Sequence, residues 1–366
     1  MRLSFIISLA IFSTFLSCND EVVIENSPID LTHIPYTPTP FILSVPDSFP
    51  IFEQPSDNLM TSEGIDLGRH LFYDPILSKD STMSCSSCHL PQGSFTDNLR
   101  VSQGVEGLPG TRSSMSLLNV GFHYNGFFWD GRSASLEEQA LLPVEDPLEL
   151  NAEWPEVITR LRRSEKYQEK FRSAFGITNT NGITRENTAK AIAQFERSLV
   201  SSGTSKYDKV LMGRAVFTDE ELMGVKIFFD RTPDLPDGEC FHCHSAPLLT
   251  NNEYMNNGLI PAEEFEDFTD KGLGAITGLL IDNGKFKVPT LRNIEFSAPY
   301  MHNGQFNTLE EVIDHYNEGG KISKGSDALI QPLGLTEEHK AALLAFLKTL
   351  NDEEFMTNPD YQDPNG

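Results

Sequence analysis

The sequence contains few cysteines, few positive charges and no long hydrophobic run beyond its first residues. Its 366 residues include 5 Cys, and 53 acidic residues outnumber 28 basic ones, which gives a formal net charge of −25. Because nucleic-acid phosphates repel such an acidic chain, we expect no nucleic-acid partner. A content of 39% hydrophobic and 10% aromatic residues excludes a wholly disordered chain and is sufficient for two domains with hydrophobic cores.

The one hydrophobic run lies at the N-terminus. Residues 3–16 are almost entirely apolar, which is too short for a membrane span but typical of a signal peptide. The run ends at a small residue followed by Cys18, which resembles a bacterial lipoprotein signal; ordinary signal cleavage beside an incidental cysteine is the alternative. We predict a signal peptide over residues 1–17, lipidation of Cys18 and a flexible tether over residues 18–45. The predicted location is the periplasmic side of a bacterial membrane, with the lipid anchor as the sole membrane contact.

The other four cysteines belong to two copies of a C-x-x-C-H motif. The copies are Cys85-Ser86-Ser87-Cys88-His89 and Cys240-Phe241-His242-Cys243-His244. This motif is the attachment signature of c-type haem, in which two thiols bind the vinyl groups and the adjacent His binds the iron. A zinc site, two disulfides or a C-x-x-C redox pair are the alternatives, but none of them requires a His after each cysteine pair. We predict two covalently bound c-type haems, with His89 and His244 as iron ligands.

A segment with helical periodicity precedes each motif. The second segment opens with Thr218 and Glu221 at capping-box spacing, and further apolar residues recur at helical spacing over residues 155–175, 185–200 and 337–350. Few stretches alternate with the period of a strand. The sequence therefore predicts a mainly α fold with two cytochrome c-like domains.

The predicted division of the chain follows from the two motifs and from a Ser- and Gly-containing break near residues 201–208. We expect an N-terminal cytochrome c-like domain over residues 46–203 and a C-terminal one over residues 204–352. A tail over residues 353–366 completes the chain. Each domain is expected to carry one covalently bound haem.

The two motifs, with Phe-Trp-Asp-Gly-Arg between them at residues 128–132, resemble the bacterial dihaem cytochrome c peroxidase family, which includes MauG-type enzymes. Residues 67–75, 288–293 and 298–304 also match, and the resemblance covers residues 45–352. It implies that the first haem is the peroxide site and that the second haem supplies electrons.

The resemblance also assigns roles to individual residues. Trp129 matches a Trp that lies between the haems and would relay electrons, and Gln139 matches a position in the peroxide pocket. The family's acid–base Glu lies twenty positions after this Trp, which selects Glu149. From composition alone, Glu145 or Asp146 would serve equally well, because any of these carboxylates can exchange protons with peroxide.

The chain departs from many family peroxidases in the loop over residues 101–111. Those enzymes hold a loop His on the first haem iron at rest, whereas this loop contains no His. We therefore predict a first haem that is five-coordinate or water-bound at rest and needs no reductive activation.

The second departure concerns the second haem. The resemblance places Tyr316, the ligand type of MauG-type members, as its second iron ligand. Met301 is the alternative, since a sulfur ligand is expected for a donor haem of high potential. A tyrosine oxygen would favour oxidised iron and lower the potential.

The resemblance implies a calcium ion between the haems as well. Ser297 and Pro299 match the positions that supply backbone carbonyls, and Ser113 stands where the family has an Asn side chain. Family members are often dimers, which implies a homodimer by analogy.

Three functions are compatible with these residues. The first is reduction of hydrogen peroxide to water, with electrons from a small donor protein such as a cytochrome c. The second is a MauG-like oxidase that uses peroxide to oxidise a partner protein or an organic substrate. The third, a dihaem electron carrier without catalysis, is disfavoured by Glu149 and by the loop without a His.

Overall fold

The computed structural model describes residues 27–365 and consists mainly of helices, which confirms the predicted mainly α class. The helices are α1 (Ser62–Tyr73), α2 (Leu136–Glu145), α3 (Trp154–Arg163), α4 (Glu165–Phe175), α5 (Arg185–Ser198), α6 (Lys206–Leu211), α7 (Asp219–Phe228), α8 (Gly274–Thr277), α9 (Leu309–Asn317), α10 (Glu337–Lys348) and α11 (Glu353–Thr357). Two short strands, β1 (Tyr254–Met255) and β2 (Phe286–Lys287), pair antiparallel. Among the described residues, no helix combines the length and apolar character needed to cross a membrane.

Two helix pairs form the framework around the two motifs. Helix α1 packs on α5, and α7 packs on α10. In both pairs, a glycine on one helix lies against the backbone carbonyl of an alanine on the other. A Cβ on Gly68 would lie 1.9 Å from the Ala191 carbonyl oxygen, and a Cβ on Gly224 would lie 2.0 Å from the Ala342 carbonyl oxygen. Each pair therefore requires glycine where its helices cross. We call residues 62–198 the first unit and residues 219–348 the second unit.

The helix bounds agree with the sequence periodicity except at one place. Residues 155–175 form two helices rather than one, because Ser164 has extended backbone torsions that end α3 and begin α4. The predicted capping box is present at α7, where Thr218 and Glu221 satisfy each other's backbone N–H groups. Helices α2, α3 and α4 lie between the first motif and α5, and the second unit has no helix of eight or more residues between its motif and α9.

The connection between the units is built around Asp352, which is fully buried. Its carboxylate accepts hydrogen bonds from Ser201 Oγ at 2.6 Å and from the Ser202 backbone N–H at 2.7 Å. Asn293, in one of the stretches that carries the family resemblance, binds the Asp352 backbone through its side-chain amide. Buried polar groups need such partners, so this carboxylate fixes the segment that joins the units.

The chain beyond Asp352 returns to the first unit. Phe355 is fully buried, with its ring centroid 5.6 Å from that of Phe95. Arg69 donates hydrogen bonds to the carbonyl oxygens of Pro359 and Gln362 at 2.7 and 2.6 Å. The C-terminal residues thus form part of the wall of the first unit.

The N-terminal segment also contacts the first unit. The Leu31 backbone N–H donates to the Thr178 carbonyl oxygen at 2.9 Å, and the Phe41 N–H donates to the Met60 carbonyl oxygen at 3.0 Å. These bonds attach the described part of the predicted tether, residues 27–45, to the folded body. The predicted signal peptide and Cys18 lie outside the described residues, and the predicted domain bounds stay predictions.

Candidate functional site

The first motif lies on a short 3-10 turn, Cys85–Ser87, that directs its residues into the first unit. The His89 imidazole is oriented by a hydrogen bond of 2.8 Å between Nδ1 and the Phe95 carbonyl oxygen. Phe95 adopts a left-handed backbone conformation (φ 63°), which turns its carbonyl toward the ring. Because Nδ1 is engaged, Nε2 is the nitrogen left to bind a metal.

The second motif repeats this arrangement on the turn Cys240–His242. His244 Nδ1 lies 3.1 Å from the Leu249 carbonyl oxygen, and Leu249 is also left-handed (φ 55°). Burial lowers the pKa of His89, and burial lowers the pKa of His244 to about 4. Both imidazoles are therefore neutral at physiological pH, which is the form that binds iron.

No disulfide joins any two of the four motif cysteines in the structure, which argues against the alternative of two disulfides. Burial raises the pKa of each thiol, to about 11 for Cys88 and Cys243. A buried neutral thiol is not a reactive redox cysteine, so the redox-pair alternative lacks its usual physical signature. The thiols are placed to be consumed in covalent attachment.

Some buried polar atoms near the first motif have no hydrogen-bond partner among the described residues, as expected where a bound group supplies the partner. Gln139 Oε1, Glu196 Oε2 and Arg197 Nη1 are buried, and none has a hydrogen-bond partner among residues 27–365. Native proteins leave few such atoms without a partner. The Arg197 guanidinium is a donor and therefore fits a carboxylate group of a haem, whereas the Gln139 and Glu196 oxygens are acceptors and require a donor.

The second motif opens into a cavity of about 250 Å³ that residues of both units line, which we call the central cavity. Its walls include His244, Tyr316 and Met301 from the second unit and Trp129 from the first unit. Apolar side chains supply most of the rest. A largely apolar cavity that ends at a C-x-x-C-H motif fits a second haem.

The structure places Glu149 beside the first motif, because its charge acts on the thiols of both Cys85 and Cys88. Burial, together with the nearby Asp146, raises the pKa of Glu149 to about 7, whereas Arg132 acts to lower it. Glu145, the compositional alternative, is exposed. At neutral pH, Glu149 therefore exists in both its protonated and ionised forms, as a group that accepts and donates protons requires.

The loop over residues 101–111 packs directly against the segment of Glu149. The Val105 backbone N–H donates to the Glu149 carbonyl oxygen at 2.8 Å. A Cβ on Gly104 would lie 2.3 Å from the Leu148 carbonyl oxygen, so glycine is required there. The loop without a His thus helps to position the carboxyl group.

Trp129 lies on the wall of the central cavity, which the second motif also lines. Its indole Nε1 donates to the Ser113 carbonyl oxygen at 2.9 Å, and its own carbonyl accepts from the Lys287 backbone N–H at 2.9 Å. The indole is therefore held by a contact within the first unit, and the Trp129 backbone is bound to the second unit. A fixed aromatic group in this position is suited to carry electrons.

Both candidate second ligands of the second haem, Tyr316 and Met301, face one amide. Asn257 Nδ2 donates to Tyr316 Oη at 3.2 Å and to Met301 Sδ at 3.3 Å. Burial raises the pKa of Tyr316 to about 12, whereas the Asn257 hydrogen bond lowers it. The structure brings the two candidates together and leaves the choice between them open.

The three residues of the predicted calcium site are also close to this cavity. Ser297, Pro299 and Ser113 line it. Ser113 Oγ donates to the Met301 carbonyl oxygen at 2.9 Å, so its lone pairs are available to a cation. The set matches the oxygen ligands that calcium prefers, and calcium stays a prediction.

Sequence reasoning missed Asn257 and Lys287. Asn257 precedes a glycine, which indicates a turn and nothing more. Lys287 is 1% exposed, and its Nζ donates to the Asn125 carbonyl oxygen at 3.1 Å. Burial lowers the pKa of Lys287 to about 8. A lysine in a short strand carries no sequence signal of burial, so neither residue could be predicted.

Comparison with known proteins agrees with this arrangement. The chain matches the di-haem cytochrome c peroxidase family over residues 62–216. The methylamine utilization protein MauG of Methylorubrum extorquens is 34% identical over 308 residues, covering 84% of this chain and 83% of that protein. Cytochrome-c peroxidase IdrP1 of a Pseudomonas species is 32% identical over 334 residues, covering 84% and 85%. The crystal structure of a MauG-like protein associated with microbial copper homeostasis is 36% identical, with a TM-score of 0.83, and covers 89% of this chain and 100% of that one.

These relatives share most of their length with this chain, and they carry the names of both branches. Family membership implies two c-type haems, and both motifs stand on equivalent turns with equivalent His orientation. Relatives named as cytochrome-c peroxidases are oxidoreductases that use peroxide. This chain therefore belongs to the di-haem cytochrome c peroxidase family of peroxide-dependent oxidoreductases, the family that includes MauG.

Proposed function

We propose that this chain reduces hydrogen peroxide to water at a haem in its N-terminal cytochrome c-like domain, with electrons from a haem in its C-terminal domain. Cys85 and Cys88 would attach the first haem, and Cys240 and Cys243 the second. His89 binds the first iron. When bound, the haems supply iron that takes up peroxide and delivers electrons.

The observation that carries this proposal is the half-buried carboxyl of Glu149, with a pKa of about 7. It accepts a proton from the incoming peroxide and returns one to the leaving oxygen. Reduction to two waters consumes two electrons and two protons. Gln139, whose Oε1 is buried without a partner among the described residues, holds the peroxide beside this carboxyl.

Electrons would reach the first unit from a small donor protein such as a cytochrome c, through the second unit and Trp129. His244 and Tyr316 are the proposed ligands of the second iron, with Met301 as the alternative. The Asn257 amide, which donates to the tyrosine oxygen, favours its ionised form. The proposal includes a calcium ion held by Ser297, Pro299 and Ser113. It also includes export of the protein, lipidation of Cys18 and assembly as a homodimer.

A second candidate function is MauG-like oxidation of a partner protein or organic molecule by peroxide. The position of Tyr316 in the central cavity favours it, because an oxygen ligand lowers the potential of the second haem and makes it a poorer acceptor of electrons from a cytochrome c. Similarity to MauG and to the MauG-like structure supports it too.

Steady-state turnover separates the two functions. The haem-loaded protein is mixed with peroxide and a reduced small cytochrome c, and cytochrome oxidation is followed. Rapid oxidation supports the peroxidase. Negligible oxidation, together with a long-lived spectral change in both haems, supports the MauG-like function. If peroxide changes the spectrum of neither haem, both proposals fail and an electron carrier remains.

A further inference from the structure

Three potential metal ligands converge beside the second motif and have no part in the function proposed above. Asp230, Glu239 and His242 each present one ligand atom, and these atoms all lie within 4.8 Å of one another. His242 Nε2 is 3.0 Å from Glu239 Oε2 and 3.6 Å from Asp230 Oδ2. We call these three residues the His242 cluster.

The spacing of these atoms matches the coordination shell of a small dication. Zinc bonds of 2.0–2.1 Å to nitrogen and oxygen, arranged as a tetrahedron, place neighbouring ligand atoms about 3.3 Å apart. The two distances from His242 Nε2, 3.0 and 3.6 Å, lie on either side of this value. An ion would therefore fit between these ligands with small side-chain adjustments.

The surrounding contacts orient the ligands. Asp230 Oδ1 accepts hydrogen bonds from the backbone N–H groups of Gly238 and Glu239 at 2.9 and 3.4 Å, which leaves Oδ2 for other partners. The His242 ring packs against Phe241, with ring centroids 4.0 Å apart. Ligands that are held in place before binding lose less conformational entropy when an ion arrives.

The chemistry of the ligands selects the class of ion. Imidazole favours zinc, copper and nickel over calcium and magnesium, and the two carboxylates balance the charge of a dication. The side chain of His242 is 42% exposed, so solvent can reach the cluster and water can complete the coordination. We propose that the His242 cluster binds one divalent transition-metal ion, such as Zn²⁺ or Cu²⁺.

The position of the cluster gives the ion a role. His242 lies between Cys240 and Cys243, so a bound dication would sit at the edge of the second haem where the protein attaches it. A positive charge there stabilises the reduced, less positive iron and raises the potential of that haem. This consequence rests on the proposed attachment of the second haem, whereas metal binding itself does not.

The direct test is a calorimetric titration of tag-free, haem-loaded full-length protein with ZnCl₂. We expect one saturable site. His242→Gln should weaken binding by about 10-fold or more, since even loss of an outer partner of a metal ligand has an effect of that size. Asp230→Asn keeps an oxygen for the two backbone N–H groups and should also weaken binding. The matched control is His33→Gln, which removes an exposed histidine from the N-terminal segment.

Two outcomes would overturn the metal site. One is the absence of saturable binding, which would leave His242 as a surface ion-pair partner of the two carboxylates. The other is unchanged affinity in His242→Gln. Pulsed electron paramagnetic resonance of Cu²⁺ bound to the unmodified protein provides a check that needs no variant: nitrogen coupling from one imidazole is expected, and its absence would contradict the assignment.

The coupling to the haem is tested separately by redox titration with and without Zn²⁺, which is itself redox-inert. We expect the potential of the second haem alone to rise, and the shift to disappear in His242→Gln. Binding without any shift would refute the coupling while leaving the metal site intact. Neither result depends on peroxide turnover, so failure here is distinguishable from failure of the proposed function.

Discussion

The first and second units place the same motif on nearly the same scaffold, yet they surround it with different chemistry. In both units, a glycine on the first helix of the pair allows that helix to contact the carbonyl of an alanine on the second helix. In both units too, the carbonyl of a residue with left-handed backbone orients the motif His. The first unit adds helices α2 to α4 and, after α2, the half-buried carboxyl of Glu149. The second unit instead brings Tyr316 and Met301 to a shared amide.

This difference separates two requirements of peroxide chemistry. Proton transfer needs a group that ionises near neutral pH, and burial gives Glu149 that property. Electron supply needs a haem whose potential is set by its ligands, and the choice of oxygen or sulfur sets it. In the proposed function, the shared scaffold holds a haem in each unit, and the residues added around it give the two haems different roles.

The largest effect is expected from Glu149→Gln, which removes the proton-transfer group of the first unit. The rate at which peroxide reacts with the protein should fall by about 10²- to 10⁴-fold, measured by stopped-flow absorbance. In the unmodified protein, this rate should rise as the pH passes through about 7, because the carboxyl must be ionised to accept a proton. The variant should lose that pH dependence.

Glu145→Gln is the matched control for this experiment, because Glu145 is exposed at the end of α2. It should leave both the rate and the pH profile unchanged. A full rate in Glu149→Gln would assign proton transfer to another group and remove the main difference between the units.

A smaller effect is expected when alanine replaces either glycine at the helix crossings. Gly68→Ala and Gly224→Ala should each lower the free energy of unfolding by about 1–3 kcal/mol, since the added methyl group meets a backbone carbonyl. Urea unfolding followed by circular dichroism measures this. At Gly110, an added Cβ has its nearest neighbour 3.5 Å away, so Gly110→Ala serves as the control. A loss of stability in only one of the two variants would show that the scaffolds are not equivalent.

The smallest effect is expected from Tyr316→Phe, which removes one oxygen from the second unit. The absorption spectrum and potential of one haem should change, and those of the other should stay the same. Met301→Leu is the paired variant, and it should leave both haems unaltered. The reverse result, a change with Met301→Leu and none with Tyr316→Phe, would identify sulfur as the ligand. The second haem would then have the ligand set of a typical peroxidase that accepts electrons from a donor protein.

The sequence was sufficient to predict the parts of the molecule that depend on short motifs. The two C-x-x-C-H motifs, the mainly helical class and the α7 capping box depend on residues a few positions apart, where local chemistry decides the structure. The glycines at the helix crossings lie in the helical segments that precede the two motifs, but the sequence does not show why glycine is required there. That reason is a contact with an alanine more than 100 positions further along the chain in each case.

What could not be predicted depends on long-range packing. The extended backbone at Ser164 divides a segment whose periodicity is continuous. The hydrogen bonds from Asn257 to Tyr316 and Met301 join residues 59 and 44 positions apart. The contact of Asp352 with the segment after α5 likewise joins distant parts of the chain.

The position of Phe355 has a consequence for how the protein is made. Synthesis delivers a chain from its N-terminus, so the first motif emerges long before the residues that complete its surroundings. Phe355 lies more than 260 positions beyond the first motif and packs on Phe95, whose carbonyl orients His89. Full enclosure of the first motif therefore waits for a residue that follows the helix pair of the second unit. This interval leaves Cys85 and Cys88 open to the proposed attachment of haem.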